Sequence, residues 1–176
     1  MNRVMVDLET LGTKPGSVII SIGAVRFDED GVRDEYYSRV DPDSCVDVGL
    51  KIDPSTVMWW LQQADEARAE ICKPGKSLGV ALKGFSEWLM KEGEVDEIWG
   101  DGATFDNVLL RCAYEMAGVE MPWAYWADRC YRTMKNLYPD LAKVERTGVH
   151  HHALDDARTQ AERLIEMLKA VKEVGQ

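Results

Sequence analysis

Arg3-Val4-Met5-Val6-Asp7-Leu8-Glu9-Thr10 decides how the rest of the chain is read. Its apolar residues predict a strand, and within it stand two carboxylates two residues apart. Residues i and i+2 of a strand share a face, so Asp7 and Glu9 project side by side. Each disfavours the ionisation of the other. The plain reading is an edge strand with two solvated acids. The chemical reading is a core strand whose acids hold a hard cation such as Mg²⁺ between them. The stretch alone leaves both open.

The chain has 176 residues, a length that suits one domain with a proper core. No repeat or low-complexity segment interrupts it. Its longest apolar stretch, Ser17 to Val25, is too short to cross a bilayer, and the N-terminus enters the strand pattern with no signal-peptide layout. No membrane partner is expected. Cys45, Cys72, Cys112 and Cys130 are scattered, which argues against a zinc site or a disulfide framework and fits a reducing cytoplasm. A net charge of −10 argues against indiscriminate binding to polyanions. The charge is uneven, however. Residues 129–146 hold Arg129, Arg132, Lys135, Lys143 and Arg146 against only Asp140 and Glu145. This window is either a solvated helix face or a guide for a phosphate backbone.

Outward from the first stretch, Thr10 to Gly16 reads as a turn-rich loop. Ser17 to Phe27 reads as a strand buried on both faces, and Val32 to Val40 as an alternating, half-buried one. Together they predict an antiparallel meander with the acidic strand innermost. Asp41 to Asp53 reads as irregular. Asp53-Pro54-Ser55 begins a helix with an N-cap and an N1 proline. On it, Trp59 is expected in the core, and Trp60 lines a cleft where it could stack on a base. Leu78 to Met90 is a second helix. Glu97 to Gly100 is a short strand, Asp101 to Thr104 a tight loop, and Phe105 to Ala117 a helix closed by Gly118. Asp106 in its first turn either compensates the helix dipole or adds a metal ligand at a strand–helix junction. Asp101 reads as a turn residue. Tyr125 to Asp128 is expected as a last strand and Arg129 to Leu137 as a basic helix. All three histidines stand together in His150-His151-His152-Ala153-Leu154-Asp155-Asp156-Ala157, before a long amphipathic helix. An imidazole beside carboxylates is what general-base chemistry asks for.

Read together, the motifs are Val6-Asp7-Leu8-Glu9-Thr10, then Gly100 to Leu110 with Asp106, then His151-x-Ala153-x-x-Asp156. In this order they resemble the DEDD-type 3′–5′ exonucleases that carry a histidine in the third motif. The Trp59-Trp60 pair and the Arg129-to-Thr133 segment look most like compact phage-type and exoribonuclease-like members. The resemblance implies an α/β, ribonuclease H-like fold: a mixed five-stranded sheet flanked by helices, formed by residues 1–176 as a single exonuclease domain. It implies that Asp7, Glu9, Asp106 and Asp156 bind two Mg²⁺ (or Mn²⁺), with His151 as general base. His150, His152 and Asp155 fall outside the motif spacing. Many members have asparagine where this chain has Asp101. Thr10 and Leu11 would meet the terminal nucleotide, Glu9 its 3′-OH, and Arg129 and Arg132 the backbone. The implied partner is the 3′ end of single-stranded DNA or RNA, the product a nucleoside 5′-monophosphate, and a homodimer is plausible by analogy. The competing functions are a metal phosphatase using the same acids and a non-catalytic nucleic-acid-binding module.

Overall fold

The computed structural model describes residues 1–102, 104–141, 145, 146 and 148–174. A five-stranded mixed sheet is built from β1 (Arg3–Thr10), β2 (Ile19–Asp28), β3 (Gly31–Arg39), β4 (Glu97–Gly100) and β5 (Asp128–Cys130), in the order β3-β2-β1-β4-β5. The first three strands form the antiparallel meander, and β4 and β5 add in parallel to β1. β1 therefore stands at the centre, between β2 and β4. The sheet is flanked by α1 (Pro42–Asp47), α2 (Pro54–Trp60), α3 (Asp65–Ile71), α4 (Leu78–Met90), α5 (Asp106–Ala117), α6 (Tyr131–Leu137) and α7 (Ala153–Val174).

Each sheet face carries its own apolar core. Val4, Val6 and Leu8 of β1 pack with Leu82, Phe85 and Leu89 of α4 and Leu109 and Ala113 of α5. Met5, Val25, Phe27 and Trp99 pack on the opposite face with Tyr131 of α6 and Ala157, Ala161 and Leu164 of α7. Strand alternation thus puts Met5, Asp7 and Glu9 on the α7 face. At β2, Gly23 lets α7 close on the sheet: a Cβ there would lie 2.2 Å from the Ala153 carbonyl carbon and from the Leu154 nitrogen. Arg26, almost wholly buried, donates to the carbonyls of Trp88 (2.9 Å) and Leu89 (3.3 Å) at the end of α4.

Three local expectations are corrected. The stretch after Asp41 is not irregular. Asp41 caps α1 by accepting from the Asp43 N–H, and Pro42 takes the first turn, the same device as Asp53-Pro54. The last strand is shifted: Tyr125–Ala127 is a 3₁₀ turn with Tyr125 and Trp126 solvent-exposed, and pairing begins at Asp128. The Asp128 carboxylate accepts from Asn107 Nδ2 (3.1 Å) and Trp123 Nε1 (3.0 Å) and pairs with Arg111, which fixes where the strand starts. Arg129 consequently lies in β5, and the basic helix begins at Tyr131. Among the described residues no helix is long and apolar enough to cross a membrane, and the four cysteines are unpaired.

Candidate active site

Asp7 faces Gly23 across the β1–β2 pair. The glycine that admits α7 thereby brings the start of that helix over Asp7. Asp156 lies in the first turn of α7, and Gln160 one turn on donates its amide to Asp7 Oδ1 at 2.7 Å. Asp106 arrives from the other side. Its carboxylate spans the ends of β1 and β4, accepting from the Leu8 N–H (3.2 Å) and the Asp101 N–H (2.8 Å). Gly100 leaves room for this approach, since a Cβ there would meet Asp106 Cβ at 2.9 Å. Glu9, Asp106 and Asp156 are all buried. Together with Asp7 they line a cleft of about 580 Å³ whose walls include Thr10, Trp59, Trp60, Arg132, His151 and Gln160.

Burial and mutual repulsion set the electrostatics. Asp7 is pushed well above the usual carboxylate range by burial, then by the charges of Asp106, Glu9 and Asp156, with the Gln160 hydrogen bond opposing. Glu9 is raised by burial and by Asp156 and Asp106, with Arg146 opposing. Burial pushes Asp106 up to about 7 against the two backbone N–H groups that favour its charged form. Arg146 relieves the cluster in part by an ion pair with Asp156. Glu9, His151 and Asp156 each offer a ligand atom within 4.8 Å of the other two.

His151 has a positive φ of 62°, uncommon for a residue with a side chain. Its N–H donates to Asp156 Oδ2 (3.2 Å), and its ring stands edge-on to Trp59 at 4.8 Å between ring centres. Burial first, then the neighbouring His150 and Arg146, hold its pKa below the ordinary histidine value, with Asp156 opposing. The surroundings thus favour the neutral form of the ring. His152 points away, stacked on Tyr37 with ring centres 4.5 Å apart, while its carbonyl accepts the Asp156 N–H (3.0 Å).

The two tryptophans exchange the burial expected of them. Trp60 is the buried one, its indole N–H donating to the Thr10 carbonyl (2.9 Å), while Trp59 is 42 % exposed at the cleft wall. The N-capped start at Pro54 rotates position 60 onto the larger core. Thr10 lines the cleft, whereas Leu11 is half-buried against that core. Arg132 reaches the cleft and Asp101 (3.1 Å). Arg129 does not. It lies on the edge strand, donating to the carbonyls of Trp126 (2.7 Å) and Asp128 (3.0 Å). Lys143 lies outside the described residues. Gln160 and the individual role of Arg146 were not legible from motif spacing, although Gln160 falls one helical turn after Asp156 and so on the same face.

The sheet order, the carboxylate placement and the histidine at the start of α7 define a ribonuclease H-like exonuclease of the DEDD type with a histidine. The chain belongs to the family described as the 3′–5′ exoribonuclease Rv2179c-like domain, whose model matches residues 2–168, and it is a 3′–5′ exonuclease. Solved structures share the fold at low identity. The nuclease domain of 3′hExo, a DEDDh family member bound to rAMP, is 14% identical, with 96% of this chain and 92% of that one covered and a TM-score of 0.67. Exonuclease X in complex with 5′ overhanging duplex DNA is 20% identical, with 96% and 92% covered and a TM-score of 0.61. S. pombe Pop2p in its Mg²⁺- and Mn²⁺-bound form is 15% identical, with 94% and 82% covered and a TM-score of 0.57. No curated protein matches the sequence.

Proposed function

We propose that the chain, as one domain, hydrolyses single-stranded nucleic acid from its 3′ end to nucleoside 5′-monophosphates with the help of two divalent metal ions. The observation that carries this reading is the convergence of Asp7, Glu9, Asp106, Asp156 and the His151 ring on one cleft. The donor set fits hard dications. Glu9 and Asp106 are buried and Asp7 half-buried, all three resist ionisation, and Gln160 Oε1 is buried without a hydrogen-bond partner. Oxygen ligands of this kind suit Mg²⁺ or Mn²⁺, the ions carried by the Pop2p structure.

In this reading Asp7, Glu9, Asp106 and Asp156 hold the ions. When bound, they offset the cleft's negative charge and polarise the phosphodiester for attack by water. His151 takes a proton from that water, a role that suits a ring whose neutral form is favoured by burial. Its placement is fixed on three sides by Trp59, Trp60 and the Asp156 carboxylate. Thr10 on the cleft wall, with Leu11 behind it, meets the terminal nucleotide, and Trp60 supports them from beneath through its bond to the Thr10 carbonyl. Trp59, the exposed ring, offers the stacking surface for the terminal base. Arg132, on the cleft wall, meets backbone phosphate. The family's description favours RNA as the polymer.

A gel time course on matched 5′-labelled RNA and DNA oligonucleotides with Mg²⁺, Mn²⁺ or EDTA tests this. The expected result is a metal-dependent ladder shortening from the 3′ end, faster on RNA. Oligonucleotides that lose only a terminal phosphate would point to a phosphatase, and bound but intact ones to a binding module.

A further inference from the structure

A second groove, of about 520 Å³, opens beside the cleft and shares Thr13, Phe105 and Arg132 with it. Its other side chains include Thr104, Cys130, Thr133 and Asn136. The contrast with the cleft is chemical. Asp7, Glu9, Asp101, Asp106 and Asp156 line the cleft, whereas among the described residues no carboxylate lines the groove, although the chain carries a net charge of −10. At the junction, Asp101 is covered by Arg132 Nε (3.1 Å) and Lys135 Nζ (3.3 Å), leaving that point one charge positive. Thr13, Thr104, Thr133 and Asn136 are exposed, and among the described residues none of their side chains has a protein hydrogen-bond partner.

We propose that this groove is the track of the substrate strand upstream of the scissile bond, holding the sugar-phosphate of the next nucleotide of a single-stranded nucleic acid. The proposal rests on the reading that the cleft takes the 3′ end. A polyanion leaving an acid-lined cleft meets least repulsion along the wall that has no acids. Hydroxyl and amide donors with one shared arginine suit phosphate and ribose oxygens, contacts that carry no sequence information, as stepwise degradation requires. The volume is on the scale of a small-ligand site and so admits about one nucleotide.

Thr133→Glu and Asn136→Asp place carboxylates in the groove. Glutamate in the first turn of α6 is favourable to the helix, so the fold is retained, as a thermal melt would verify. Thr104→Ala removes a donor without adding charge. The measurement is the anisotropy of a labelled, uncleavable phosphorothioate hexanucleotide, paired with steady-state kinetics on a hexanucleotide and on the p-nitrophenyl ester of a nucleoside 5′-monophosphate. The ester carries no upstream nucleotide. The expected result for each acidic variant is Kd for the hexanucleotide weakened about tenfold and the ratio of hexanucleotide KM to ester KM raised about tenfold, with a smaller change for Thr104→Ala. Wild-type Kd and an unchanged KM ratio in both acidic variants would overturn the groove assignment while leaving the exonuclease reading intact. A wild-type chain that cleaves the ester but not the hexanucleotide would overturn the exonuclease reading itself, and the track with it.

Discussion

At the scale of single residues, the site stores electrostatic repulsion. Asp7 is the one half-buried residue of an otherwise buried strand and is opposed by three neighbouring carboxylates, with one amide from Gln160 in compensation. Asp7→Asn keeps the shape and removes a charge. It is expected to abolish metal-dependent cleavage while raising the thermal midpoint of the metal-free protein, a combination that activity assays and calorimetry together would reveal. His151→Ala is expected to slow turnover by about 10²–10⁴-fold with little change in Mn²⁺ affinity by titration calorimetry. Should His152→Ala prove the more damaging change, the base has been assigned to the wrong ring. Arg146 pairs with Asp156 as a competing cation. Arg146→Ala is therefore expected to tighten Mn²⁺ binding by roughly fivefold, about 1 kcal/mol, again by calorimetry on the free protein.

At the scale of elements, the decisive contact is helix α7 on strand β2. The helix can carry Asp156 to Asp7 only because position 23 has no side chain. A Cβ there would strike backbone atoms at Ala153 and Leu154, which cannot rotate away as a side chain could. Gly23→Ala is expected to cost about 1–3 kcal/mol and to separate Asp156 from Asp7. Both a lower denaturation midpoint and a loss of metal affinity beyond what the lost stability explains would be seen. Wild-type metal affinity in a folded Gly23→Ala protein would contradict this account of the site. The start of α7 is fixed a second time by His152, whose ring stacks on Tyr37 of β3 and whose carbonyl receives the Asp156 N–H. The histidine outside the motif spacing thus ties the third motif to the sheet.

For the whole molecule, the raised carboxylates make stability depend on pH in a defined direction. A carboxyl whose folded pKa lies above its unfolded one binds more protons in the native state, so its contribution favours folding at low pH and is lost as pH rises. For Asp106 that loss runs from the ordinary value of 3.8 to about 7, and Asp7 and Glu9 shift in the same direction. The metal-free protein is expected to melt at a higher temperature at pH 5.5 than at pH 8, and saturating Mg²⁺ to flatten that slope. A metal-free protein that gained stability from pH 5.5 to 8 would contradict the burial of these groups. Glu70, held near 2 chiefly by Lys73, Tyr37 and Arg39 against its own burial, works in the opposite sense but only at lower pH, and the lowered His151 opposes as a single group against the three carboxylates.

The sequence by itself determined the strands of the meander, the central place of the acidic one, and the three motifs that resemblance assembled into a site. These rest on local rules: two-residue alternation, caps and spacing within a single element. Asp41-Pro42 carries the same cap-and-proline signal at the start of α1. What only the tertiary structure decided are the relations between elements distant in sequence. Which tryptophan is buried depends on how α2 lies on the core, and both orientations satisfy the same helical spacing. Arg129 and Arg132 are equal as charges in a basic window, yet strand pairing sends one to the sheet edge and the other to the cleft. Gln160 and Gly23 gain their meaning from Asp7, which lies far away in sequence and next to them in space. A short motif fixes the chemistry of a residue, but packing fixes its neighbours, and the neighbours set its charge.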